Sequence, residues 1–350
     1  MRLVILGGGP AGTSAATYAA RLGLEVVLIE RDVIGGAADL WDCIPSKAMI
    51  ATGGAMSFLG RTRGMGLVQV QGHVDLEELR QRINSVTDRL RRTTEAVLTS
   101  QQVEIVRGTG RLDGPHRVVA DAESGCRQFD ADAVLLAAGS RPRIPDWAPV
   151  DGDRVLVTRD AYPPKELPGH LVVIGSGVTG VEFVHMFSSL GSEVTLIVSR
   201  QQVLPRKDPE VAAVLEEDFL RRGVHLLKGA RATAIERSAD GISVRCDDGR
   251  VASGSHALLA IGSTPNSEQL GLSTARVEVD DGGYIPVNRH CQTNVPHIYA
   301  AGDLSGKLPL SSVAAMQGRK IAEHVVVGHT VTHRHLNYDK AASAIFTEPE

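Results

Sequence analysis

The sequence has no long hydrophobic run. No apolar segment reaches the roughly 18 residues that a membrane-spanning helix needs. A strand-forming segment, Leu3 to Leu6, begins almost at the first residue and leaves no room for a signal peptide. We therefore expect a cytoplasmic protein without stable membrane insertion.

Cysteine is scarce. The 350 residues contain four cysteines, which lie far apart and form neither a C-x-x-C motif nor a disulfide framework. This usage fits a reducing compartment. We expect Cys126, Cys246 and Cys291 to be small buried residues rather than redox groups.

The chain also lacks a strong excess of either charge and any metal-ligand pattern. Its formal net charge is −4, which gives no electrostatic reason to expect nucleic acid as a partner. His333 and His335 are close in sequence, but two histidines alone do not make a metal site, so no metal is predicted. The hydrophobic content of 43% is enough for two or more cores.

A glycine loop follows the first apolar strand. Gly7 to Gly12 read G-G-G-P-A-G, a helical pattern covers Thr13 to Leu22, and a second strand ends at Glu30. The order strand, G-x-G-x-x-G, helix, strand, acid is typical of a dinucleotide site. In it Gly7 permits a tight turn, Gly9 lets the pyrophosphate approach, and Gly12 lets helix and strand pack closely. We expect Glu30 to accept hydrogen bonds from a ribose.

The arrangement returns at Gly175 to Gly180, which read G-S-G-V-T-G between a strand and a helix. Here no acid ends the next strand. Ser199 and Arg200 follow it instead, with Arg206 and Lys207 slightly further on. A missing carboxylate beside a cation removes discrimination against a 2′-phosphate, which favours NADPH weakly. Arg200 can equally be a solvated loop residue, so the predicted donor is NAD(P)H. Since two nicotinamides without an intermediate carrier would be a rarer design, we expect the first dinucleotide to be FAD.

The remaining chain supports two similar domains. Apolar residues at three- and four-residue spacing predict a long amphipathic helix from Asp75 to about Ser100. We expect Ala133 to Gly139 and Leu258 to Gly262 to be two buried strands that end in glycine. The segment from Arg141 to Pro145 is typical of an interdomain linker.

Taken together, these residues resemble the pyridine nucleotide–disulfide oxidoreductase family, of the dihydrolipoamide dehydrogenase and glutathione reductase type. The resemblance rests on both glycine loops and on Gly35-Gly36, Cys43-Ile44-Pro45-Ser46-Lys47, Ala138-Gly139-Ser140 and Ala301-Gly302-Asp303. It implies an α/β fold with two Rossmann-like domains of three-layer ββα architecture, followed by an α+β dimerisation domain. The implied domains are an FAD-binding domain in two parts (1–147 and 266–336), an NAD(P)-binding domain (148–265) and the start of a truncated dimerisation domain (337–350).

The resemblance also implies roles for single residues. Lys47 would pair with Glu182 beside the flavin N5, Asp303 would bind the ribityl chain, Ser311 would approach the flavin ring, and Gly110 would lie near the adenine. Lys47, Glu182 and Cys43 are the catalytic candidates. The full set of cofactor-binding residues predicted from the loops and the resemblance is Gly7, Gly9, Pro10, Ala11, Gly12, Glu30, Arg31, Gly36, Cys43, Lys47, Gly110, Ser140, Asp303, Ser311, Gly175, Gly177, Val178, Thr179, Gly180, Glu182, Ser199, Arg200 and Gly262.

The sequence departs from the family pattern at one chemical position. Disulfide reductases of this kind carry a second cysteine five residues before the cysteine of C-I-P-S-K, and here that residue is Ala38. Without the partner thiol no dithiol can pass electrons to a disulfide substrate. Lipoamide, glutathione and mercuric reductase activities are therefore disfavoured.

The end of the sequence is a second departure. The residues from Thr347 to Glu350 resemble the start of the family's dimerisation domain, which normally supplies a His–Glu pair to the partner's site. We expect the chain to be a fragment and the full-length protein to be a homodimer.

The variant motif G-G-A-A-x-x-x-D-C-x-P-S-K, together with V-A-A-M-Q-G-R (Val313 to Arg319), resembles one branch of the family, the actinobacterial NAD(P)H:quinone reductases that lack one redox cysteine. It implies hydride transfer from NAD(P)H to FAD and electron transfer to a quinone. Two alternatives stay open. One is a soluble pyridine nucleotide transhydrogenase, and the other is a flavin- or nucleotide-binding sensor without turnover.

Overall fold

The computed structural model describes residues 1–60, 62, 65–66, 68, 72–328 and 336–349. His333 and His335 lie outside the described residues. Within these ranges the chain forms six α-helices and seventeen β-strands. The helices are α1 (Pro10–Arg21), α2 (Ile44–Gly60), α3 (Leu76–Ser100), α4 (Val178–Leu190), α5 (Pro209–Arg221) and α6 (Ser311–Val327). The strands are β1 (Arg2–Leu6), β2 (Glu25–Glu30), β3 (Glu104–Leu112), β4 (Arg117–Ala122), β5 (Gly125–Asp130), β6 (Ala133–Leu136), β7 (Ser140–Pro142), β8 (Val155–Val157), β9 (His170–Ile174), β10 (Glu193–Val198), β11 (His225–Lys228), β12 (Ala232–Arg237), β13 (Ile242–Cys246), β14 (Val251–Gly254), β15 (His256–Leu259), β16 (Ser263–Pro265) and β17 (Ile298–Ala300).

The chain divides into two compact units. The first comprises Met1–Cys43, Val86–Arg141 and Thr264–Ser343. The second comprises Ile44–Ser85, Pro142–Ser263 and Ala344–Glu350. The segment Ile44–Ser85 belongs to the second unit because Met49, Leu79 and Ile83 are buried in its core. The domain limits stated from the sequence stay a prediction.

The first unit is built around a seven-stranded sheet with the order β17-β6-β1-β2-β3-β4-β5. The first five of these strands are parallel, and β3, β4 and β5 form an antiparallel meander. Apolar residues of β1, β2 and β6 alternate between two cores, as successive side chains of a strand must. One core also contains residues of α1 and α6, and the other contains residues of the meander. The sheet thus lies between a helical layer and a β layer.

The second unit repeats this plan. Its five-stranded sheet has the order β11-β10-β9-β15-β8, and all its strands are parallel. Helices α2, α4 and α5 contribute to the core on one face, and the antiparallel strands β12, β13 and β14 contribute to the core on the other. The predicted α/β class with two Rossmann-like, three-layer ββα arrangements is confirmed.

The long predicted helix is observed as α3, which ends at Ser100 as the spacing predicts. Asp75 caps its first turn, because the Asp75 Oδ1 accepts hydrogen bonds from the backbone N–H groups of Glu77 and Glu78 at 2.9 and 3.0 Å. Helix α1 starts three residues earlier than the predicted Thr13. Gly9 is its N-cap, and Pro10 occupies the first helical position, where the missing N–H costs nothing.

Candidate functional site

The first glycine loop connects β1 to α1 in the first unit. Gly7 has φ +109°, and a Cβ on it would lie 2.3 Å from the carbonyl oxygen of Ala137. A Cβ on Gly12 would lie 1.9 Å from the carbonyl oxygen of Gly7. A Cβ on Gly9, by contrast, would meet nothing nearer than 3.8 Å. The loop therefore requires glycine at Gly7 and Gly12 for its own packing, whereas Gly9 leaves space into which the N-terminus of α1 directs its free N–H groups.

Glu30 ends β2 beside this loop. Its Oε2 accepts a hydrogen bond from the Gly8 N–H at 2.5 Å, and its Oε1 accepts from the N–H groups of Asp32 and Val33 at 2.6 and 3.2 Å. The carboxylate thus stabilises the loop and the turn after β2. Since each carboxylate oxygen has more than one acceptor position, Glu30 retains capacity for a ribose hydroxyl. Arg31 is exposed and forms an ion pair with Asp32 at 3.2 Å.

The segment after β2 packs against the same loop. Gly36 has φ +85°, and a Cβ on it would lie 2.3 Å from the Cα of Gly9. A π-helical turn from Ala38 to Cys43 follows and runs directly into α2. Ala38 and Cys43 are thus the first and last residues of one turn, and the Cys43 thiol is half-buried and free of any disulfide. Ala38 carries a methyl group and no sulfur, so Cys43 supplies the one thiol of this turn.

One expectation about the other cysteines is wrong. Cys126 is exposed, because it lies near the start of the edge strand β5, whose side chains are mostly exposed. Cys246 and Cys291 are buried as expected. Burial raises the pKa of both thiols, that of Cys291 to about 11. Neither is a ready nucleophile, since the thiolate is the reactive form.

The remaining FAD candidates lie in the first unit. Asp303 follows β17, and its Oδ2 accepts a hydrogen bond from the Ser140 hydroxyl at 2.6 Å. The neighbouring Gly302 donates its N–H to the fully buried Gln317 at 2.7 Å, which orients the turn that carries Asp303. A Cβ on Gly110 would lie 2.4 Å from Leu6, so its glycine is explained by core packing.

Ser311 begins α6 and hydrogen-bonds to the carboxyl group of Asp39 in the π-helical turn. Burial raises the pKa of Asp39, and the Ser311 hydrogen bond opposes part of that rise. Neither Asp39 nor Gln317 was predicted as a site residue, because neither follows a spacing that predicts a site.

The second glycine loop connects β9 to α4 in the second unit. Gly175 has φ +110°, and a Cβ on Gly180 would lie 1.9 Å from the Gly175 carbonyl oxygen. A Cβ on Gly177 would meet no atom within 4 Å. Gly177 is the N-cap of α4, and Val178 and Thr179 are the first two residues of that helix. The open space at Gly177 is therefore next to the first turn of α4. In both loops a Cβ on the first or last glycine would collide with backbone atoms, whereas the middle glycine has free space beside it. A pyrophosphate-binding loop requires this combination. Gly262 (φ +96°) follows the neighbouring strand β15.

Two exposed residues, Ser199 and Arg200, follow β10. The Arg200 carbonyl accepts a hydrogen bond from the Gly229 N–H at 3.0 Å, and further along, the Leu204 N–H donates to the Ser176 carbonyl at 2.8 Å. The first bond joins the segment after β10 to the turn after β11, and the second joins it to the glycine loop. Among the described side chains Arg200 forms no ion pair.

The structure brings the two predicted charged residues together. Lys47 on α2 and Glu182 on α4 belong to the second unit, and the Lys47 Nζ lies 3.0 Å from the Glu182 Oε2. The glutamate side chain is 11% exposed and the lysine side chain 35%. The pair forms because α2 and α4 pack through small residues, with a Cβ on Gly53 only 3.1 Å from the Ser189 Cβ.

Within the described ranges no helix is both long and apolar enough to cross a membrane. The same residues contain no group of three or more His, Cys, Asp or Glu side chains able to hold a metal ion.

Comparison with known proteins gives consistent matches. The sequence profile of the family described as "Pyridine nucleotide-disulphide oxidoreductase" matches residues 1–318. An "NAD(P)H dehydrogenase (quinone)" of Mycobacterium tuberculosis is 43% identical over 100% of this chain and 73% of its own length. A "Dihydrolipoyl dehydrogenase" of Bacillus subtilis is 32% identical over 100% of this chain and 76% of its own length. The crystal structure of LpdA from Mycobacterium tuberculosis superposes with a TM-score of 0.92 at 42% identity, covering 99% of this chain and 76% of that one.

Proposed function

The chain belongs to the pyridine nucleotide–disulphide oxidoreductase family, and on that premise we propose that it passes electrons from NAD(P)H through FAD to a quinone rather than to a disulfide. The flavoprotein oxidoreductase chemistry with FAD and NAD(P)H is that of the family. The observation that carries the choice of acceptor is the π-helical turn, which begins at Ala38 and ends at the single thiol of Cys43. The relative named NAD(P)H dehydrogenase (quinone) supports the same choice.

Each glycine loop binds one dinucleotide in this proposal. The loop at Gly7 to Gly12, with Glu30, Asp303 and Ser140, holds FAD, and the loop at Gly175 to Gly180 holds NAD(P)H. Backbone N–H groups and the positive helix ends neutralise the pyrophosphates. The open space at Gly9 and Gly177 fits this role in both units.

FAD, when bound, accepts a hydride and releases two electrons to the acceptor. Lys47 holds a positive charge where the family resemblance assigns the reactive edge of the flavin, and Glu182 fixes the lysine side chain. A fixed cation stabilises negative charge that develops during reduction. Quinone reduction consumes two electrons and two protons: the hydride supplies both electrons and one proton, and the second proton comes from solvent.

NADPH is the preferred donor in this proposal. Arg200 is exposed beside the second loop, and no carboxylate ends β10. A guanidinium there can pair with a 2′-phosphate, whereas NADH offers only a hydroxyl. A cytoplasmic location and a homodimer of the full-length protein stay predictions.

The test is an anaerobic and steady-state assay of the purified protein with NADH and NADPH. Menadione, lipoamide and thio-NAD serve as acceptors. We expect rapid reduction of the bound flavin, turnover with menadione and none with lipoamide. Dominant hydride transfer to thio-NAD would identify a transhydrogenase instead, and a flavin that neither nicotinamide reduces would indicate a sensor. Clear lipoamide turnover would contradict the argument from Ala38.

A further inference from the structure

The carboxylate of Glu182 has a second partner besides Lys47. Its Oε2 accepts from the Lys47 Nζ, and its Oε1 accepts a hydrogen bond from the backbone N–H of Phe346, also at 3.0 Å. A carboxylate that is only 11% exposed is costly unless both oxygens have donors. A backbone donor is well suited to this task, because it cannot rotate away as a side chain can.

The side chain of Phe346 contacts the other member of the pair. The Lys47 Nζ lies 4.6 Å from the centroid of the Phe346 ring, which is within the range of a cation–π interaction. One residue therefore binds the anion through its N–H and the cation through its ring. Phe346 lies 164 residues after Glu182, so sequence spacing does not indicate the contact.

Both neighbours of Phe346 are anchored within the second unit. Ile345 packs against the core formed with α2 and α4. Beyond Phe346, Thr347 is buried, and its hydroxyl donates to the Pro349 carbonyl at 2.7 Å. The hydroxyl of Ser57 on α2 donates to the Glu348 Oε2 at 3.2 Å. The segment therefore holds the ring and the N–H of Phe346 in fixed positions.

We propose that Phe346 is a positioning residue for the Lys47–Glu182 pair: its ring fixes the ammonium group and its N–H fixes the carboxylate. This inference rests on the proposed role of the pair in flavin reduction by NAD(P)H. A loosely held Lys47 would spend part of its time turned towards solvent, and its charge would then stabilise reduction less. Phe346 thereby affects the rate of hydride transfer through its contacts with Lys47 and Glu182.

Two variants separate the contacts. Phe346→Leu removes the ring and keeps the N–H, whereas phenyllactate incorporated at position 346 replaces the amide by an ester and keeps the ring. Phe346→Trp retains an aromatic face and is the conservative rescue. Phe58→Leu is the matched control, since Phe58 is on α2 in the same unit and is 50% exposed. FAD content and thermal unfolding confirm that each variant is folded.

The readouts are the limiting rate of flavin reduction by NADPH, the NADPH concentration for half that rate, the pH profile of the rate, and the reduction potential of the bound flavin. In Phe346→Leu and in the ester variant we expect the limiting rate to fall about 2- to 30-fold, the range of a cation–π or a hydrogen-bond contribution. The half-saturating concentration should not change, the pH profile should shift, and the potential should become more negative. Phe346→Trp and Phe58→Leu should match the wild type within about twofold.

A wild-type rate, pH profile and potential in both Phe346→Leu and the ester variant would overturn the inference. If one variant fails to fold, the other decides the question. The proposal of a quinone acceptor can fail separately from this inference. In that case the wild-type flavin would be reduced rapidly, but menadione would not be turned over. If neither nicotinamide reduces the wild-type flavin, the positioning role falls together with the proposed function.

Discussion

Arg222 donates a hydrogen bond from its Nη1 to the Nδ1 of the buried His185 at 2.9 Å. Arg222 follows α5 and His185 is on α4, one turn beyond Glu182. The Nη2 of the arginine also donates to the hydroxyls of Ser188 and Ser189 at 2.6 and 2.7 Å. The contact requires a neutral imidazole, because a protonated ring would present a donor to a donor.

This contact predicts an acid-sensitive fold. Burial, with the Arg222 charge, lowers the pKa of His185 from 6.5 to about 4, against the opposing charges of Glu348 and Asp218. Between these pH values the unfolded chain binds the proton and the folded chain does not. The contribution of His185 to the free energy of unfolding is therefore intact above pH 6.5. As the pH falls towards 4, the free energy of unfolding decreases by about 3 kcal/mol.

The variant His185→Asn keeps an acceptor for Arg222 but does not titrate. We expect thermal unfolding, measured from pH 7 to pH 4, to fall less steeply for this variant than for the wild type. His225→Asn is the control, because the side chain of His225 is 64% exposed. Equal slopes for wild type and His185→Asn would contradict the assignment.

A methyl group added at two glycines of the first loop is expected to have two different effects, one on stability and one on FAD binding. Gly12→Ala places a Cβ against the Gly7 carbonyl and should lower the free energy of unfolding by about 1–3 kcal/mol or more. Gly9→Ala meets open space and should leave the stability of the apoprotein within about 0.5 kcal/mol. It should nevertheless weaken FAD binding at least about tenfold, because its methyl group occupies the approach to the pyrophosphate. Unfolding of the apoprotein and fluorescence titration with FAD measure the two effects. A wild-type affinity for FAD in Gly9→Ala would contradict the proposal that FAD binds at this loop.

The choice of nicotinamide is tested at Arg200. We expect Arg200→Ser to raise the KM for NADPH about tenfold, as expected for the loss of one hydrogen-bonded charge at an exposed site, and to change the KM for NADH less than twofold. Steady-state kinetics with both donors measure the ratio of the KM for NADPH to the KM for NADH. The control is Arg231→Ser, because Arg231 is an exposed arginine that precedes β12. Equal changes in the KM for NADPH and the KM for NADH would contradict a contact with the 2′-phosphate and would indicate that Arg200 is a solvated loop residue.

The sequence was sufficient to predict the features that follow local patterns. Both glycine loops, the strands around them and the end of α3 at Ser100 are where spacing placed them. The pairing of Lys47 with Glu182 followed from the family resemblance, and the structure shows the contact at 3.0 Å.

The remaining features depend on long-range packing. The π-helical turn at Ala38–Cys43 is held by Gly36 against Gly9, and no periodicity indicates such a turn. The contacts of Phe346 with Glu182 and Lys47 join residues far apart in sequence. The exposure of Cys126 was missed because β5 is an edge strand, which only the sheet order reveals.

The central claim is that electrons leave through a diffusible acceptor without thiol chemistry. The most direct measurement compares NADPH-dependent menadione reduction by the wild type and by Cys43→Ala, both with FAD bound. We predict that Cys43→Ala keeps the rate within about threefold, because no bond to the Cys43 sulfur forms or breaks in the reaction. Complete loss of menadione reduction in Cys43→Ala with FAD still bound would contradict the account.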